Sequence, residues 1–310
     1  MYIGIDLGGI NTAAGLVDDS GNITEKRSVP TPRTPAEVAD VIAEHVKKLL
    51  ELSDGSVKYI GIGAPGIIDP EEGMIEYWSN LDFKKVPLGK MVEERTGMRV
   101  IIENDAACAA LGEFKSGAGK GCNSLIAVTL GTGVGGGAVL DGKLYTGMNH
   151  ASLEIGHLVV EHNGRQCTCG RKGCFETYCS ATALIKEAQK AMDARHDSLL
   201  WKLAGSKDKV NGKMIFDAYA ENDPAAKQVV DEFISYLGNG ITSLVNIFQT
   251  DVICIGGGIS GAGETLLSPV REIFDREDYA KTCKKRTRIV RAELGNDAGI
   301  IGAAMLGEHI

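Results

Sequence analysis

The sequence predicts an α/β protein built from two related domains. Two segments of similar pattern support this prediction, "IGIDLGGINTAAGLVDDSGNI" near the start and "LIAVTLGTGVGGGAVLDGKLY" near the middle. Each reads as an apolar strand, a glycine-rich turn, a second strand and a polar hairpin turn, the last at 18–21 and at 141–142. With 310 residues, 44% of them apolar, the chain is long enough to bury a core in each domain.

The remaining elements follow from periodicity and from helix-start signals. Apolar residues from Val38 to Leu50 recur at helical spacing and predict a helix at roughly 35–52, followed by a strand in "VKYIGIGAPG". The polar start "END" precedes a helix in "AACAALGEF". Further along the chain we expect helices near 180–194, 224–248 and 263–274, a strand in "DVICIGGG" and an apolar terminal helix in "DAGIIGAAML".

The glycine-rich stretch "SGAGKGC" at 116–122 is the predicted domain boundary. We therefore expect a first domain at 1–117, completed by the terminal helix at 297–310, and a second domain at 118–296.

Charge and terminal sequence narrow the class of protein. A net charge of -8 argues against binding to nucleic acid or to an anionic membrane surface. The chain starts in a strand-like run without a basic segment or cleavage site, and no apolar run is long enough to span a membrane. We expect a cytoplasmic protein, in which cysteines stay reduced and a cysteine cluster more often binds a metal than forms disulfides.

Three glycine turns, at 8–9, 131–137 and 256–258, each follow a strand. Glycine lets backbone N–H groups approach phosphate oxygens, although each turn alone is equally consistent with a tight hairpin. The dinucleotide fingerprint is disfavoured because no acidic residue follows at the required distance, and a Walker P-loop is absent. The pattern favours a nucleotide held by glycine hairpins from both domains.

Two aspartates at strand ends are candidate chemical groups. Asp6 could orient Mg²⁺ against phosphates or could simply cap a turn. Asp105 could accept a hydroxyl proton, as in kinase-type phosphoryl transfer, or could be the N-cap of the following helix. Glu103 and Asn104 beside it make a denser polar cluster than capping requires.

The segment "CTCGRKGCFE" places Cys167, Cys169 and Cys174 within eight positions. Three thiolates at this spacing can share one tetrahedral ion but need a fourth ligand, and spacing alone does not choose between His157 and His162 upstream. Redox chemistry is disfavoured because the C-x-x-C arrangement is missing. The pattern predicts a metal site.

Six motifs together resemble the ROK family (repressors, open reading frames, kinases), and most closely its bacterial glucokinases. They are "IDLGGINTAAG", "GAPGIID", "ENDAACAA", "LGTGVGGG", "LEIGH" and "CTCGRKGCFE", and they lie in family order from residue 3 to about 260. The resemblance implies an actin-like, ribonuclease H-like fold of two α/β domains with sugar and ATP in an interdomain cleft. It also implies a hexose substrate, most often glucose, Mg²⁺ as cofactor and a homodimer.

The resemblance also implies roles for individual residues. Asp105 matches the general base, and His157 matches the fourth ligand of a structural Zn²⁺ site with Cys167, Cys169 and Cys174. The positions that match sugar contacts are Pro65, Gly66, Asn80, Asn104, Asp105, Glu154, His157 and Glu176. The positions that match ATP and magnesium contacts are Asp6, Gly8, Gly9, Asn11, Thr132, Gly133, Gly135, Gly256, Gly257 and Gly258.

The chain departs from the family pattern at Ile10, where Thr is usual, and at Leu153, where Gly is frequent. The first bears on ATP affinity and the second on the shape of the sugar pocket. The alternatives are a kinase for fructose, mannose, allose, N-acetylmannosamine or N-acetylglucosamine, a sugar-responsive repressor, and a sugar-binding protein without catalysis. A repressor is disfavoured because no helix-turn-helix precedes the first strand, and a non-catalytic protein because the presumed base is present.

Overall fold

The computed structural model describes residues 1–53, 55–78 and 81–308. The strands are β1 (Tyr2–Leu7), β2 (Asn11–Val17), β3 (Ile23–Pro30), β4 (Ile60–Ala64), β5 (Ile67–Asp69), β6 (Met74–Trp78), β7 (Phe83–Val86), β8 (Val100–Asn104), β9 (Leu125–Leu130), β10 (Val134–Leu140), β11 (Lys143–Tyr145), β12 (Val252–Gly256) and β13 (Arg288–Arg291). The α-helices are α1 (Pro35–Leu50), α2 (Leu88–Thr96), α3 (Asp105–Ser116), α4 (Glu176–Cys179), α5 (Ala181–Ala194), α6 (Leu199–Ala204), α7 (Gly212–Ala220), α8 (Pro224–Phe248), α9 (Glu264–Glu277) and α10 (Ala298–Met305).

Two five-stranded sheets repeat one topology. Their strand orders are β3-β2-β1-β4-β8 and β11-β10-β9-β12-β13, so each has its hairpin strands on one side and two later strands on the other. In the first sheet β1 pairs antiparallel with β2 and parallel with β4, and in the second β12 pairs parallel with β13. This repetition confirms the α/β class and the internal similarity predicted from the sequence. A smaller sheet has the order β5-β6-β7.

The chain divides into two compact units. The first contains Met1–Ala127, Gly137–Leu153 and Glu293–Ile310, and the second contains Val128–Gly136 and Glu154–Ala292. Residues 118–127 and 293–296, which were expected in the second domain, lie in the first unit, and so does the segment Gly137–Leu153. Its Val139 is buried in one apolar cluster with Leu111 and Ile300, so hydrophobic packing assigns this hairpin to the first unit.

The terminal helix α10 is an interior element of the first unit. All eight of its residues are buried, and it packs against α3, β1 and β4. Such a helix carries no polar face, which explains why its sequence, "AGIIGAAM", contains no polar side chain. Across the described residues, no helix combines the length and the apolar character that a bilayer span requires.

Candidate active site and metal centre

Three neighbouring parallel strands end at one edge of the first sheet. The register pairs Asp6 of β1 with Gly63 of β4, and Ala64 of β4 with Asn104 of β8. Because parallel strands present their carboxyl ends together, Asp6, Asn104 and the adjoining Asp105 are brought to the same edge. The sheet therefore assembles two of the predicted carboxylates from positions about a hundred residues apart.

Asn104, rather than Asp105, caps helix α3. The Asn104 side-chain oxygen accepts hydrogen bonds from the backbone N–H groups of Ala106 and Ala107 at 2.9 and 3.1 Å. Its amide group donates to the Gly66 carbonyl at 3.1 Å, which joins two residues of the predicted sugar site. The interpretation of Asp105 as an N-cap is therefore wrong, because Asp105 is the first residue within the helix.

Asp6 and Asp105 are mutually repelling carboxylates in a partly desolvated setting. Burial raises the pKa of Asp6 to about 6, and the charge of Asp105 adds to this increase. Burial also raises the pKa of Asp105, against a hydrogen bond from the Ala106 N–H. A Cβ added at Gly299 of α10 would lie 2.9 Å from the Asp6 carboxyl carbon, so only glycine leaves room for this carboxylate. A carboxylate with a raised pKa is the better proton acceptor near neutral pH.

The first glycine turn joins β1 to β2. The Gly8 N–H donates to the Asn11 carbonyl at 3.0 Å, and the Thr31 hydroxyl donates to the Gly8 carbonyl at 2.7 Å. Gly9 follows Gly8 in this turn, and the side chain of the next residue, Ile10, is 81% exposed. Two hydrogen bonds thus fix the hairpin turn at Gly8. Position 10 carries an apolar side chain, where the family resemblance leads us to expect the hydroxyl of Thr.

The second glycine turn lies in the second unit, next to Glu176. The Gly131 N–H donates to the Gly133 carbonyl at 3.0 Å, and the Ala181 N–H donates to the Gly131 carbonyl at 2.8 Å. A Cβ at Gly133 would lie 2.8 Å from the Glu176 carboxylate, so a larger residue here would displace the end of that side chain. The predicted phosphate turn and one predicted sugar contact are therefore neighbours.

The third glycine turn follows β12. Gly256 ends the strand, Gly257 has a φ of +81° that favours glycine, and Gly258 begins a 3-10 turn before α9. The expected strand, glycine turn and helix are all present, with α9 one residue later than predicted and three residues longer at its end.

A metal-binding cluster lies elsewhere in the second unit. The ligand atoms of His157, Cys167, Cys169 and Cys174 all lie within 4.8 Å of one another. The Cys167 sulfur is 3.8 Å from His157 Nδ1, and the sulfurs of Cys169 and Cys174 are 3.6 Å apart. Ligands bound tetrahedrally to Zn²⁺ at about 2.0–2.3 Å are separated by roughly 3.3–3.8 Å. The residues present therefore fit a Cys3His zinc site.

The environment of the thiols differs from one cysteine of the cluster to the next. Cys167, Cys169 and Cys174 are thiols that take part in no disulfide. A hydrogen bond from the backbone of Arg171 lowers the pKa of Cys169, which favours the thiolate that a metal needs. Burial and the nearby Glu176 raise the pKa of Cys167 to about 12.

Glu176, the first residue of α4, touches this cluster. Its Oε1 lies 3.0 Å from the Cys167 sulfur and 3.8 Å from His157 Nδ1. Glu154 immediately precedes the 3-10 turn Ile155–His157, so the motif "EIGH" places a predicted sugar contact and a predicted ligand on one turn.

The predicted residues fall into two groups. In the first unit lie Asp6, Gly8, Gly9, Asn11, Pro65, Gly66, Asn104 and Asp105. In the second unit lie Thr132, Gly133, Gly135, Glu154, His157, Cys167, Cys169, Cys174, Glu176, Gly256, Gly257 and Gly258. The predicted sugar contact Asn80 lies outside the described residues.

Two side chains that the sequence analysis did not single out lie beside the predicted site residues. Arg165 forms a fork to the Glu232 carboxylate at 3.0 and 3.1 Å and stacks over the Tyr178 ring, which anchors the metal-binding loop to α8. His150 lies 3.4 Å from the buried Glu103 carboxylate, beside Asn104. The first pair is separated by 67 residues and has no sequence signal, whereas the crowded "END" motif was a partial signal for the second.

Comparison with known proteins agrees with this geometry. The model of the ROK family matches residues 2–309. The chain belongs to the ROK family. Among curated ROK family proteins it is 41% identical to a glucokinase of Thermotoga maritima, over 98% of this chain and 96% of that protein. It is 37% identical to a glucokinase of Streptomyces coelicolor over 100% of this chain and 98% of the other.

Solved structures of ROK family proteins have the same fold as this chain. A ROK family glucokinase from Streptomyces griseus, in complex with glucose and AMPPNP, superposes with a TM-score of 0.84 at 37% identity, covering 98% of each chain. A ROK hexokinase from Thermus thermophilus gives a TM-score of 0.85 at 33% identity, covering 98% of this chain and 97% of that one. The fold is therefore the actin-like two-domain fold of the ROK sugar kinases, as the resemblance implied.

Proposed function

We propose that this ROK family protein is an ATP-dependent kinase that phosphorylates a hexose, with glucose as the substrate and glucose 6-phosphate as the product. The observation that carries this proposal is the full-length similarity to proteins named glucokinase, at 37–41% identity. The S. griseus structure adds glucose and an ATP analogue bound to the same fold.

Asp105 is proposed as the general base. Its carboxylate takes the proton of the sugar hydroxyl as that oxygen attacks the γ-phosphorus of ATP, so the hydroxyl proton ends on Asp105 and ADP leaves. Burial raises the pKa of Asp105, which strengthens it as a base, and capping by Asn104 leaves its carboxylate available. A positioned base of this kind contributes about 10²–10⁴-fold to the rate.

The sugar is proposed to be held by carboxylate, amide and imidazole groups. The side chains are those of Asn80, Asn104, Glu154, His157 and Glu176. Pro65 and Gly66 are proposed to line the pocket through their backbone, and the Gly66 carbonyl already accepts a hydrogen bond from Asn104. A hydroxyl can both donate and accept, so such groups can satisfy each hydroxyl of a hexose. Sugars that lack a matching hydroxyl leave a buried polar group unpaired, which costs about 1–3 kcal/mol.

ATP is proposed to lie against the glycine turns of both units, with Mg²⁺ oriented by Asp6. The phosphate site is proposed to be lined by Gly8, Gly9, Asn11, Thr132, Gly133 and Gly135. Gly8 shapes its turn, because its own N–H already donates to the Asn11 carbonyl. The nucleoside is proposed to lie against Gly256, Gly257 and Gly258. Mg²⁺ supplies neutralisation of phosphate charge when bound. Its hard-ligand preference fits the Asp6 carboxylate, which α10 accommodates at Gly299.

Zinc is proposed to be structural, held by His157, Cys167, Cys169 and Cys174. When bound it closes the loop from which α4 begins, and a four-ligand site leaves no position for substrate. With Nδ1 of His157 facing the cluster, the other ring nitrogen, Nε2, is proposed to contact a sugar hydroxyl. We also propose that the protein is cytoplasmic and forms a homodimer. Size-exclusion chromatography with light scattering tests the dimer directly.

The proposed activity is tested by an ADP-release assay over a hexose panel. The panel contains glucose, fructose, mannose, allose, N-acetylmannosamine and N-acetylglucosamine, with a glucose 6-phosphate dehydrogenase readout for the position of transfer. We expect the highest kcat/KM with glucose and stoichiometric glucose 6-phosphate. ADP production equal to buffer with every sugar would rule out the kinase, and a higher kcat/KM with another sugar would reassign the substrate.

A further inference from the structure

Glu103, the residue before Asn104, is a carboxylate with 1% exposure. Its Oε1 accepts a hydrogen bond from the Asn104 backbone N–H at 2.8 Å. Its Oε2 lies 3.4 Å from Nδ1 of His150. Within the described residues, neither Oε2 nor this Nδ1 makes an aligned hydrogen bond, so the two atoms form a close polar pair rather than a hydrogen bond. Since a buried carboxylate is costly unless it is paired, the His150 imidazole is the group that compensates for Glu103.

The backbone of the loop at 146–153 keeps His150 in this place. His150 has a φ of +55° and Leu153 a φ of +59°, a region that side chains other than glycine rarely adopt. The loop is closed by Ser152, whose hydroxyl donates to the Tyr145 carbonyl at 2.9 Å and whose N–H donates to the Thr146 carbonyl at 3.3 Å. An unfavourable backbone conformation that directs an imidazole at a buried carboxylate indicates a functional constraint.

The pair acts on the peptide that carries the proposed site. Glu103 holds the Asn104 N–H through one oxygen and meets His150 through the other. Asn104 in turn caps α3, and Asp105 is the first residue of that helix. The Glu103 carboxylate is therefore bonded to the backbone amide of Asn104, the residue directly before Asp105.

We propose that His150 is a positioning residue for phosphoryl transfer: paired with Glu103, it fixes the strand end that presents Asn104 and Asp105 to the sugar. This inference rests on the proposed function. Because the contacts concern the sugar contact and the base, loss of the pair changes the glucose KM and kcat and leaves the KM of ATP unchanged. A purely structural role would lower thermal stability without this selectivity.

The test compares Glu103→Gln, His150→Asn and the double variant with the wild type. Asn tolerates the left-handed backbone of position 150 but lacks the imidazole, and His150→Gly also relieves the backbone. His196→Asn, at an exposed position, is the matched control. We expect each single variant to lose about 10- to 100-fold in kcat/KM for glucose, with the KM of ATP within about twofold of wild type.

Coupling is read from the double variant, which we expect to lose no more than the worse single variant. His150→Gly should show the same kinetic loss with an equal or higher Tm, because the loss follows the imidazole and not the backbone. Unchanged glucose kinetics in folded single variants, additive losses, or a KM of ATP that rises in step would overturn the inference. A wild type inactive with every hexose overturns the proposed function and this inference together, whereas unaffected variants of an active wild type overturn this inference alone.

Discussion

The Glu176 carboxylate lies 3.0 Å from the sulfur of Cys167, so a proposed sugar contact touches a proposed zinc ligand. The Cys167 thiol donates a hydrogen bond to this carboxylate, and burial together with this contact raises the pKa of Cys167 to about 12. Metal binding removes thiol protons. Zinc at this site would therefore free a Glu176 oxygen for a sugar hydroxyl, which links metal content to sugar affinity.

Substitution of one cysteine should empty the metal site. Cys169→Ser removes an exposed ligand of the cluster, and we expect the zinc content to fall from about one per chain to near zero, with a higher glucose KM. Cys283→Ser, another exposed cysteine outside the cluster, is the control and should keep its zinc. Elemental analysis of purified protein measures both. Wild-type protein that is free of metal and fully active would refute the zinc assignment.

The role of Glu176 can be separated from that of the metal. Glu176→Gln keeps the size of the side chain but loses an acceptor for a sugar hydroxyl, so we expect the glucose KM to rise about tenfold. Zinc content should remain that of the wild type, because Glu176 is not among the four clustered ligands. Glu221→Gln, at an exposed carboxylate, serves as control. A normal KM in the Glu176 variant would remove this residue from the sugar site.

The Asp6 carboxylate should make stability depend on pH. Its pKa is raised from 3.8 to about 6, so between these values the folded chain keeps a proton that the unfolded chain has released. The contribution of Asp6 to the free energy of unfolding therefore falls as pH rises from about 4 to 6, by on the order of 3 kcal/mol. We expect Asp6→Asn to gain stability over wild type across this window, as measured by urea unfolding.

Asp18→Asn is the control for Asp6, because hydrogen bonds from Asn22 lower the pKa of Asp18. Its ionised form stabilises the fold above the unfolded pKa, and this contribution is lost as pH falls. The Asp18 variant should therefore be less stable than wild type at neutral pH and should approach it in acid. The same trend in both variants would contradict the assigned environment of Asp6.

Ile10 offers a gain-of-affinity prediction. Its side chain is 81% exposed in the turn at Gly8 and Gly9, where the family usually has a hydroxyl. Ile10→Thr adds a donor for a phosphate oxygen, and one such hydrogen bond is worth about 0.5–1.5 kcal/mol. We expect the KM of ATP to fall by roughly two- to tenfold with the glucose KM unchanged. An unaltered KM of ATP in steady-state kinetics would place Ile10 away from the nucleotide.

The sequence predicted what local pattern controls. Turn residues and periodicity predicted three features, and each is present. They are the hairpin turn at Asp141 and Gly142, the strand that ends at Gly256, and the start of α3 in the "END" motif. The cysteine spacing predicted a metal site, and the family resemblance selected His157 as its fourth ligand. In the structure the ligand atom of His157 lies within 4.8 Å of the three cysteine sulfurs.

Other features depend on contacts that no short segment encodes. Capping by Asn104 instead of Asp105 is decided by backbone angles at the helix start. The membership of Gly137–Leu153 in the first unit follows from packing of Val139 against distant residues. The pairing of Glu103 with His150 joins the end of strand β8 to the loop at 146–153, and only the folded chain brings these two segments together.

Replacement of Asp105 tests the central claim most directly. Asp105→Asn keeps the shape of the side chain and its hydrogen bond from the Ala106 N–H, but it cannot accept a proton from the sugar. We expect kcat for glucose phosphorylation to fall by about 10²–10⁴-fold, with glucose binding and Tm close to those of the wild type. A folded Asp105→Asn protein that phosphorylates glucose at the wild-type rate would contradict the account.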